Sequence, residues 1–221
     1  MKFAIIASGN GGFSKALYNN IKILSNAYIE VIIADRKCGA YRFFKNHTKI
    51  PTYLFNYSDY DKKDEYEKDI LDLLKKFDID FIVLNYNRLI GTVLLNAYNN
   101  KIINLHMSLL PLFKGFGAVK KAYDSDVLFY GSSIHIVDDS IDGGPIIAQL
   151  CIAKNILDDK NEFLDRLFKK TVLLFIDVIY KISNDKLVIK GKKCYFKDAI
   201  YGVDIFNPSL SIDEAKVIIK K

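Results

Sequence analysis

The sequence predicts an α/β protein with a doubly wound, mostly parallel sheet. Three observations support this class. Short runs rich in Ile, Val, Leu and Phe recur along the first half of the chain, they alternate with segments of helical periodicity, and a glycine-rich turn follows the first run. Strands that are apolar along their whole length are buried on both faces, as in parallel sheets covered by helices. The 221 residues can form a core without disulfides or metal.

The first half of the chain alternates between five predicted strands and their helices. The charged segment 61–77 shows the helical pattern most clearly, because Tyr66, Ile70 and Leu74 recur at four-residue intervals and share a face. The predicted strands cover residues 2–7, 28–34, 51–56, 80–85 and 101–106, and the predicted helices cover residues 13–23, 39–47, 61–77 and 89–98.

The pattern changes after Pro111. We predict a short helix at 116–124, strands at 130–137 and 145–153 that flank a glycine turn, and a long helix at 159–182. The tail predicts two short strands (187–190 and 192–196), a turn at FNPSL (206–210) and a last helix after Ser211. Because no linker or repeat interrupts the chain, one main domain at 1–185 with a C-terminal extension at 186–221 is the simplest organisation.

Composition argues against several kinds of protein. The net charge of +6 comes almost entirely from lysine, and only Arg36, Arg42, Arg88 and Arg166 could supply the bidentate contacts that nucleic-acid readers favour. We therefore expect a solvated surface and no nucleic-acid partner. The first apolar run is too short for a signal peptide or a membrane span. Three scattered cysteines and no metal-ligand spacing indicate a cytoplasmic protein without a metal site.

Two features near predicted strand ends could carry chemistry. Glycines in SGNGG (8–12) either expose backbone amides to an anion or simply form a tight turn, and the run matches no dinucleotide or P-loop signature. Asn104 and His106 lie two residues apart on the fifth strand and so share a face. Ligands bind outside the carboxyl ends of such strands, although a hydrogen-bonded Asn and a structural His would give the same pattern.

A third feature is the glycine loop DDSIDGGP (138–145). Asp142 could be an ordinary turn residue, but a carboxylate on a flexible loop near a histidine-bearing strand tip is the pairing that acid–base chemistry needs. His135, on the strand just before, could support His106 or be a buried structural residue.

Together these motifs resemble the formyltransferases that use 10-formyltetrahydrofolate. The family carries Asn-x-His, then Ser-x-Leu-Pro, then a Gly-[Thr/Ser]-[Ser/Thr]-apolar-His strand, then Asp-x-Gly-Pro. The corresponding stretches here are 104–106, 108–111, 131–135 and 142–145, in the same order and spacing. The resemblance implies a Rossmann-like formyltransferase fold, with a catalytic domain at 1–185 most similar to glycinamide ribonucleotide transformylase.

The resemblance also implies the roles of individual residues. Asn104 and protonated His106 would stabilise the oxyanion that forms when an amine attacks the formyl carbon, and Asp142 would orient His106 and help to move the amine proton. Ser133 and His135 would support them. The cofactor is 10-formyltetrahydrofolate, as donor cosubstrate, with no metal. The implied donor-binding residues are Arg88, Leu89, Ile90, Asp138, Asp139, Ile141 and Gly143.

The acceptor side departs from the transformylase pattern. The phosphate-binding turn ends in Gly11, Gly12 and Phe13, where the family has Gly-Ser-Asn. Lys63 replaces an arginine, and the loop after the fourth strand contains Tyr86. The Glu-His pair that meets the ribose falls near Thr171–Val172. We therefore expect an altered amine acceptor, best assigned as a nucleotide-linked amino sugar, with glycinamide ribonucleotide of purine biosynthesis as the alternative.

Two further activities of the family, and a non-catalytic protein with the same fold, are less expected. The segment after Lys186 is too short for the RNA-binding barrel of methionyl-tRNA formyltransferases, and no regulatory domain like that of the hydrolases precedes the first strand. A non-catalytic folate-binding scaffold would be expected to lose the Asn/His/Asp set, which is intact. The expected partner is a phosphorylated small-molecule amine. A homodimer, the identity of the acceptor and the role of the tail are left open.

Overall fold

A computed structural model describes residues 1–155, 157–202, 205–207, 210–213 and 216–218. These residues form two compact units. The first comprises residues 1–104 and 137–139, and the second comprises residues 105–136 together with the described residues from 140 onward. Up to residue 140 the chain changes unit three times, at 104/105, 136/137 and 139/140. The predicted domain boundary at 185/186 stays a prediction.

The first unit is an α/β layer built on parallel strands. The elements are β1 (Lys2–Ala7), α1 (Gly12–Asn20), β2 (Tyr28–Ala34), α2 (Gly39–His47), β3 (Thr52–Leu54), α3 (Lys63–Lys76), β4 (Phe81–Asn85), α4 (Thr92–Ala97) and β5 (Ile102–His106), with single 3-10 turns at Ile21–Ile23 and Tyr57–Asp59. The strand order is β5-β4-β1-β2-β3, and every pairing within it is parallel, with Ile5 opposite Ile32 on one side and Val83 on the other.

Burial of both strand faces explains this layer. The middle of β1 is inaccessible to solvent, and α3 places Tyr66, Ile70 and Leu74 in the same core as Ile82 and Ile102. The i, i+4, i+8 spacing in α3 thus packs one helix face inward, as the sequence predicts. The core fixes the carboxyl ends of β1, β2 and β4, which carry the polar residues of this unit.

The second unit contains the end of β5 and an antiparallel pair. The elements are α5 (Ala118–Asp124), β6 (Phe129–Ile136), β7 (Ile146–Ala153), α6 (Lys160–Ser183), β8 (Leu187–Lys190), β9 (Lys193–Phe196) and β10 (Phe206–Asn207). The strand order is β5-β6-β7-β10, and Ser133 lies opposite Gln149 in the antiparallel register of β6 and β7. A separate hairpin is formed by β8 and β9.

Helix α6 provides most of the core of this unit. It begins at a capping box, in which Asp159 accepts hydrogen bonds from the first turn and Glu162 accepts one from the Asp159 amide. Near its other end a fully buried Asp177–Lys181 ion pair has an N–O distance of 2.6 Å, and Ser211 N donates to Asp177 Oδ1 at 2.8 Å. This carboxylate therefore ties the C-terminal extension to α6.

Most predicted elements are confirmed, and the differences lie at boundaries. The predicted helices at 89–98 and 116–124 begin later, at Thr92 and Ala118, because the residues before them form loops. The predicted turn at FNPSL is wrong for its first two residues: Phe206 and Asn207 pair antiparallel with Leu150 and Gln149. Residues 208–209 and part of the helix predicted after Ser211 lie outside the described residues.

Candidate active site

The end of β5 carries the first two candidate residues. Ile102 and Ile103 are buried, Asn104 is half-buried, and the His106 side chain retains 10% of its exposure. The predicted pairing of the amide with the imidazole rests on the two-residue period of an extended strand. Asn104 belongs to the first unit, and His106 belongs to the second.

A polar network holds the turn that follows β5. The hydroxyl of Ser133 donates to the Ser108 carbonyl at 2.7 Å and accepts from Leu110 N and from Gln149 Nε2. Gln149 Nε2 also donates to the Leu110 carbonyl, and Ser108 Oγ donates to the Leu112 carbonyl at 2.6 Å. The single donor and both acceptor positions of Ser133 are thus used, which fixes the path of the chain beyond His106.

Asp142 lies between two imidazoles. The loop after β6 returns to the sheet through a hydrogen bond from Ile136 N to the Pro145 carbonyl, and Asp142 within it has a left-handed φ of 46°. One carboxylate oxygen, Oδ2, is 3.3 Å from His106 Nδ1, and the other, Oδ1, is 3.5 Å from His135 Nε2. The structure thus brings together three of the residues predicted from sequence motifs.

These contacts keep Asp142 ionised. The contact with His135 is the largest influence and lowers the pKa; burial opposes it, and the Gly115 amide, 2.8 Å from Oδ2, and the charge of His106 add to the lowering. Together they hold the pKa of Asp142 at about 2. The carboxylate therefore acts as a fixed negative charge beside the two imidazoles.

Each imidazole also has a backbone carbonyl at its other nitrogen. His106 Nε2 is 2.9 Å from the Phe113 carbonyl, and His135 Nδ1 is 2.8 Å from the Ile136 carbonyl. A carbonyl oxygen can only accept, so these nitrogens carry hydrogen, and the nitrogens that face Asp142 are the ones that can gain or lose a proton. The cluster can therefore hold an imidazolium beside a carboxylate.

Arg88, predicted to bind the donor, is part of a carboxylate cluster in the first unit. Its Nε donates to Asp35 Oδ2 at 2.8 Å, and its guanidinium lies over the Tyr57 ring, 3.8 Å from the centroid. Asp35 also binds Arg36 and is buried. Burial alone would raise the pKa of Asp35, but hydrogen bonds from Arg36, Arg88 and Ser8 lower it. This cluster fixes the loop after β4.

The glycine turn adopts the geometry of a tight connection between β1 and α1. Gly11 has a φ of 72°, and a Cβ added to it would come within 2.6 Å of Ala40 Cβ. Glycine is therefore required by the backbone and by close packing on α2. Gly12 begins α1, and Phe13 is half-buried on its first turn.

Tyr86 and Lys63, predicted to contact the acceptor, both have protein partners. The Tyr86 hydroxyl donates to the Tyr66 hydroxyl at 3.0 Å, and burial raises the pKa of both phenols, that of Tyr66 to about 12. Lys63 Nζ lies 3.9 Å from Glu67 Oε1, a buried carboxylate that accepts from Gly91 N. These contacts hold the loop between β4 and α4.

The other predicted ligand-binding positions lie on loops, and they differ in exposure. Leu89 and Ile141 expose 54% and 52% of their surface, whereas Ile90 packs against the core of the first unit. The ribose-binding pair of the resemblance has no counterpart on α6, because Thr171 and Val172 are fully buried and Thr171 donates to Ser132. The positions predicted on the loop after β6 are Asp138, Asp139, Ile141 and Gly143.

Three residues that organise the site are not predicted from the sequence. Gln149 fixes Ser133, the Phe113 carbonyl binds His106, and the Gly115 amide binds Asp142. The alternating pattern of β7 could have suggested that Gln149 shares a face with cross-strand Ser133. Nothing in the residue types indicates the two backbone contacts.

Comparison with known proteins gives the family. A family model described as formyl transferase matches residues 1–179. The chain belongs to the formyl transferase family. Its members use 10-formyltetrahydrofolate as the formyl donor, which confirms the predicted enzyme class and cofactor.

Three relatives show the extent of the similarity. The phosphoribosylglycinamide formyltransferase of Bacillus subtilis is 38% identical over 153 residues, which are 68% of this chain and 78% of that protein. The chloroplastic enzyme of the same name from Vigna unguiculata is 30% identical over 85% of this chain and 62% of its own length. The human trifunctional purine biosynthetic protein adenosine-3 is 26% identical, and the match spans 20% of it.

Solved structures support the same fold. Phosphoribosylglycinamide formyltransferase from Bacillus halodurans is 32% identical, with a TM-score of 0.77 over 82% of this chain and 95% of that one. A glycinamide ribonucleotide transformylase from Symbiobacterium toebii, at 23% identity, matches in fold with a TM-score of 0.84 over 90% and 94% of the two chains. The predicted α/β class with a mostly parallel sheet is confirmed.

Within the described ranges, no cluster of three or more His, Cys, Asp or Glu side chains could hold a metal ion. Among the helices that the structure describes, none is long and apolar enough to cross a membrane.

Proposed function

We propose that this chain is a phosphoribosylglycinamide formyltransferase, which moves a formyl group from 10-formyltetrahydrofolate to the primary amine of glycinamide ribonucleotide. The similarity to the Bacillus subtilis enzyme, over 78% of that enzyme's length, carries the proposal. It favours the alternative over the amino-sugar acceptor that the sequence departures first suggested. The changed residues on the acceptor side would then bind the same phosphorylated amine through different contacts.

The reaction forms one C–N bond and breaks another. The acceptor nitrogen attacks the formyl carbon, and the carbonyl electrons move to oxygen in a tetrahedral intermediate. The bond to the folate nitrogen N10 then breaks, the carbonyl re-forms, and N10 receives a proton in exchange for the one that the amine loses. No metal or covalent enzyme intermediate enters this balance.

Asn104 and His106 are assigned to the developing oxyanion. The Asn104 amide would donate a hydrogen bond to the oxyanion, and His106, whose two ring nitrogens face the Phe113 carbonyl and Asp142, would contribute the positive charge of an imidazolium. Nδ1 of His106 faces the ionised carboxylate of Asp142.

Asp142 is assigned to orientation and proton movement. Its carboxylate is held by His135 and the Gly115 amide, so its position does not depend on His106 alone. The ionised carboxylate would orient His106 and stabilise the amine proton as it passes to N10 through water. The buried His135 is thereby a positioning residue, and Ser133 positions the turn after β5.

The substrate contacts remain those predicted from the motifs. The loop residues Leu89, Ile90, Asp138, Asp139, Ile141 and Gly143 would contact the donor. Arg88 would shape this loop through its ion pair with Asp35. The amides of the turn at Gly11 and Gly12, at the beginning of α1, suit the acceptor phosphate. Phe13, Lys63 and Tyr86 would line the acceptor side.

Turnover with a panel of amines tests the proposal. The full chain is incubated with 10-formyltetrahydrofolate and either glycinamide ribonucleotide, an amino-sugar nucleotide or no amine, and release of tetrahydrofolate is followed optically while the product is identified by mass. We expect turnover with glycinamide ribonucleotide and a formylated product. Asp142→Asn is the variant expected to have low activity, and Asp126→Asn, which alters an exposed carboxylate in the same unit, is its matched control.

Each other result has a definite meaning. Turnover with the amino-sugar nucleotide alone would contradict the assigned acceptor and leave formyl transfer intact. Tight folate binding without turnover by any amine would indicate a non-catalytic folate-binding scaffold.

A further inference from the structure

The turn that follows Pro111 contains three residues in the left-handed region. Phe113 has a φ of 54°, Gly115 of 76° and Gly117 of 74°. Glycine adopts this region freely, whereas a bulky side chain there is uncommon and strained. A conformation of this kind at Phe113 persists only when its surroundings fix it.

The contacts that fix the backbone at Phe113 come from residues of the candidate active site. The Phe113 carbonyl accepts from His106 Nε2 at 2.9 Å, and the preceding carbonyl, that of Leu112, accepts from the buried hydroxyl of Ser108 at 2.6 Å. Two successive peptide groups are therefore pinned. Because the Phe113 carbonyl can only accept, it requires hydrogen on Nε2 and leaves Nδ1 as the nitrogen whose protonation can change.

The same turn also holds the carboxylate. Gly115 N donates to Asp142 Oδ2 at 2.8 Å, and this is the oxygen that lies 3.3 Å from His106 Nδ1. The turn thus contacts the far nitrogen of the imidazole and the near oxygen of the carboxylate. A shift of the turn would change the relative placement of both groups.

We propose that the Phe113–Gly115 turn is a positioning device for the His106–Asp142 pair: the left-handed Phe113 aims its carbonyl at Nε2 and so assigns Nδ1 to the reaction, while the Gly115 amide sets the carboxylate opposite Nδ1. The link to catalysis rests on the proposed function. The positioning itself is a property of the second unit.

A pair of substitutions at Phe113 tests the backbone conformation. Asn tolerates left-handed φ values, whereas β-branched Val does not, and both remove the ring. We expect Phe113→Val to lower kcat about 10- to 100-fold, because a small misplacement of reacting groups has effects of this size, and Phe113→Asn to stay within about threefold of the wild type. Equal losses in both variants would show that the ring, and not the carbonyl direction, matters.

A second pair compares two glycines with the same φ. A Cβ at Gly115 or Gly117 would meet no atom within 4 Å, so Ala imposes similar backbone strain at both. We expect Gly115→Ala to lower kcat about tenfold with KM nearly unchanged, and Gly117→Ala to stay within about twofold. Thermal melts should fall by similar amounts, since the strain is matched. Equal kcat in the two variants would overturn the role of the Gly115 amide.

A readout independent of activity separates this proposal from the proposed function. The chain has three histidines, so the ¹⁵N signals of His106 can be assigned by comparison with His106→Asn and His47→Gln. We expect hydrogen on Nε2 in the wild type and in Phe113→Asn, and mixed tautomers in Phe113→Val. Hydrogen on Nδ1 alone in the neutral wild-type ring would overturn the positioning device, whereas correct tautomers without formyl transfer would contradict only the function.

Discussion

The two units each contain a carboxylate with a lowered pKa, and their partners differ. Asp35, in the first unit, is buried and is bound by Arg36 and Arg88. Asp142, in the second unit, contacts His106 and His135 and accepts from one backbone amide. Arginine stays charged at all relevant pH values, whereas histidine changes charge near neutrality.

This difference separates a structural carboxylate from a reactive one. The arginines that bind Asp35 do not exchange a proton with it, so these ion pairs fix the loop after β4 at all relevant pH values. The Asp142 pair can gain or lose a proton at the nitrogens that face it. The identity of the cation, more than the pKa of the carboxylate, indicates which cluster can carry acid–base chemistry.

We expect the largest effect from a substitution in the cluster of His106, Asp142 and His135. Asp142→Asn removes the charge that stabilises imidazolium while keeping the side chain's size, so kcat for formyl transfer should fall about 10²- to 10⁴-fold. Steady-state kinetics on a variant shown to be folded by circular dichroism measures this. A loss of less than about tenfold would contradict the assigned role.

We expect a slightly smaller effect from substitution of Asn104, whose side-chain amide does not titrate. Asn104→Ala removes one oxyanion donor and should lower kcat about 10²- to 10³-fold, with the same pH dependence as the wild type. Kinetics across about pH 5–8, the range in which most proteins are most stable, provide the test. An altered pH profile would show that Asn104 acts through the His106–Asp142 pair instead.

Substitution in the cluster of Asp35, Arg36 and Arg88 should lower the stability of the fold more than the rate of formyl transfer. Asp35→Asn leaves two arginines without their carboxylate, and because both side chains reach solvent we expect a loss of about 1–3 kcal/mol in the free energy of unfolding. Urea denaturation measures it. The kcat should fall less than about fivefold, roughly 1 kcal/mol on the transition-state scale; a loss as large as that of Asp142→Asn would remove the distinction between the clusters.

The pH dependence of stability sharpens the comparison further. The pKa of Asp142 is lowered to about 2 from an ordinary value of 3.8, so its ionisation stabilises the folded state above that ordinary value and loses this contribution as pH falls toward 2. The difference in unfolding free energy between the wild type and Asp142→Asn should therefore shrink from about pH 6 to about pH 3 in urea titrations. A difference that stays constant would mean that the carboxylate is not held as described.

We expect the smallest effect from the hydrogen bond between the uncharged hydroxyls of Tyr86 and Tyr66. Tyr86→Phe removes the hydroxyl that donates to Tyr66 and keeps the ring proposed to line the acceptor side. We expect a loss of about 0.5–1.5 kcal/mol in unfolding free energy and an unchanged KM for the acceptor. A raised KM would assign the hydroxyl, and not only the ring, to the acceptor.

Much of the fold could be predicted because each element carries its own pattern. The segments at β2, α2 and β8 have the bounds that the sequence indicates, since apolar runs and helical spacing end at polar residues there. The helix starts at Thr92 and Ala118 and the strand at Phe206–Asn207 were missed. They depend on loops and on pairing with a distant strand, which local periodicity does not record.

The sequence alone determined the family, the formyl donor and the side chains proposed for the reaction, because these depend on residue types at fixed spacing. Only the tertiary structure decided which nitrogen of His106 faces Asp142, which carboxylate is clamped by arginine, and that Phe113 and Gly115 contribute through their backbone. Every residue carries the same peptide group, so its role is set by the direction in which the folded chain holds it.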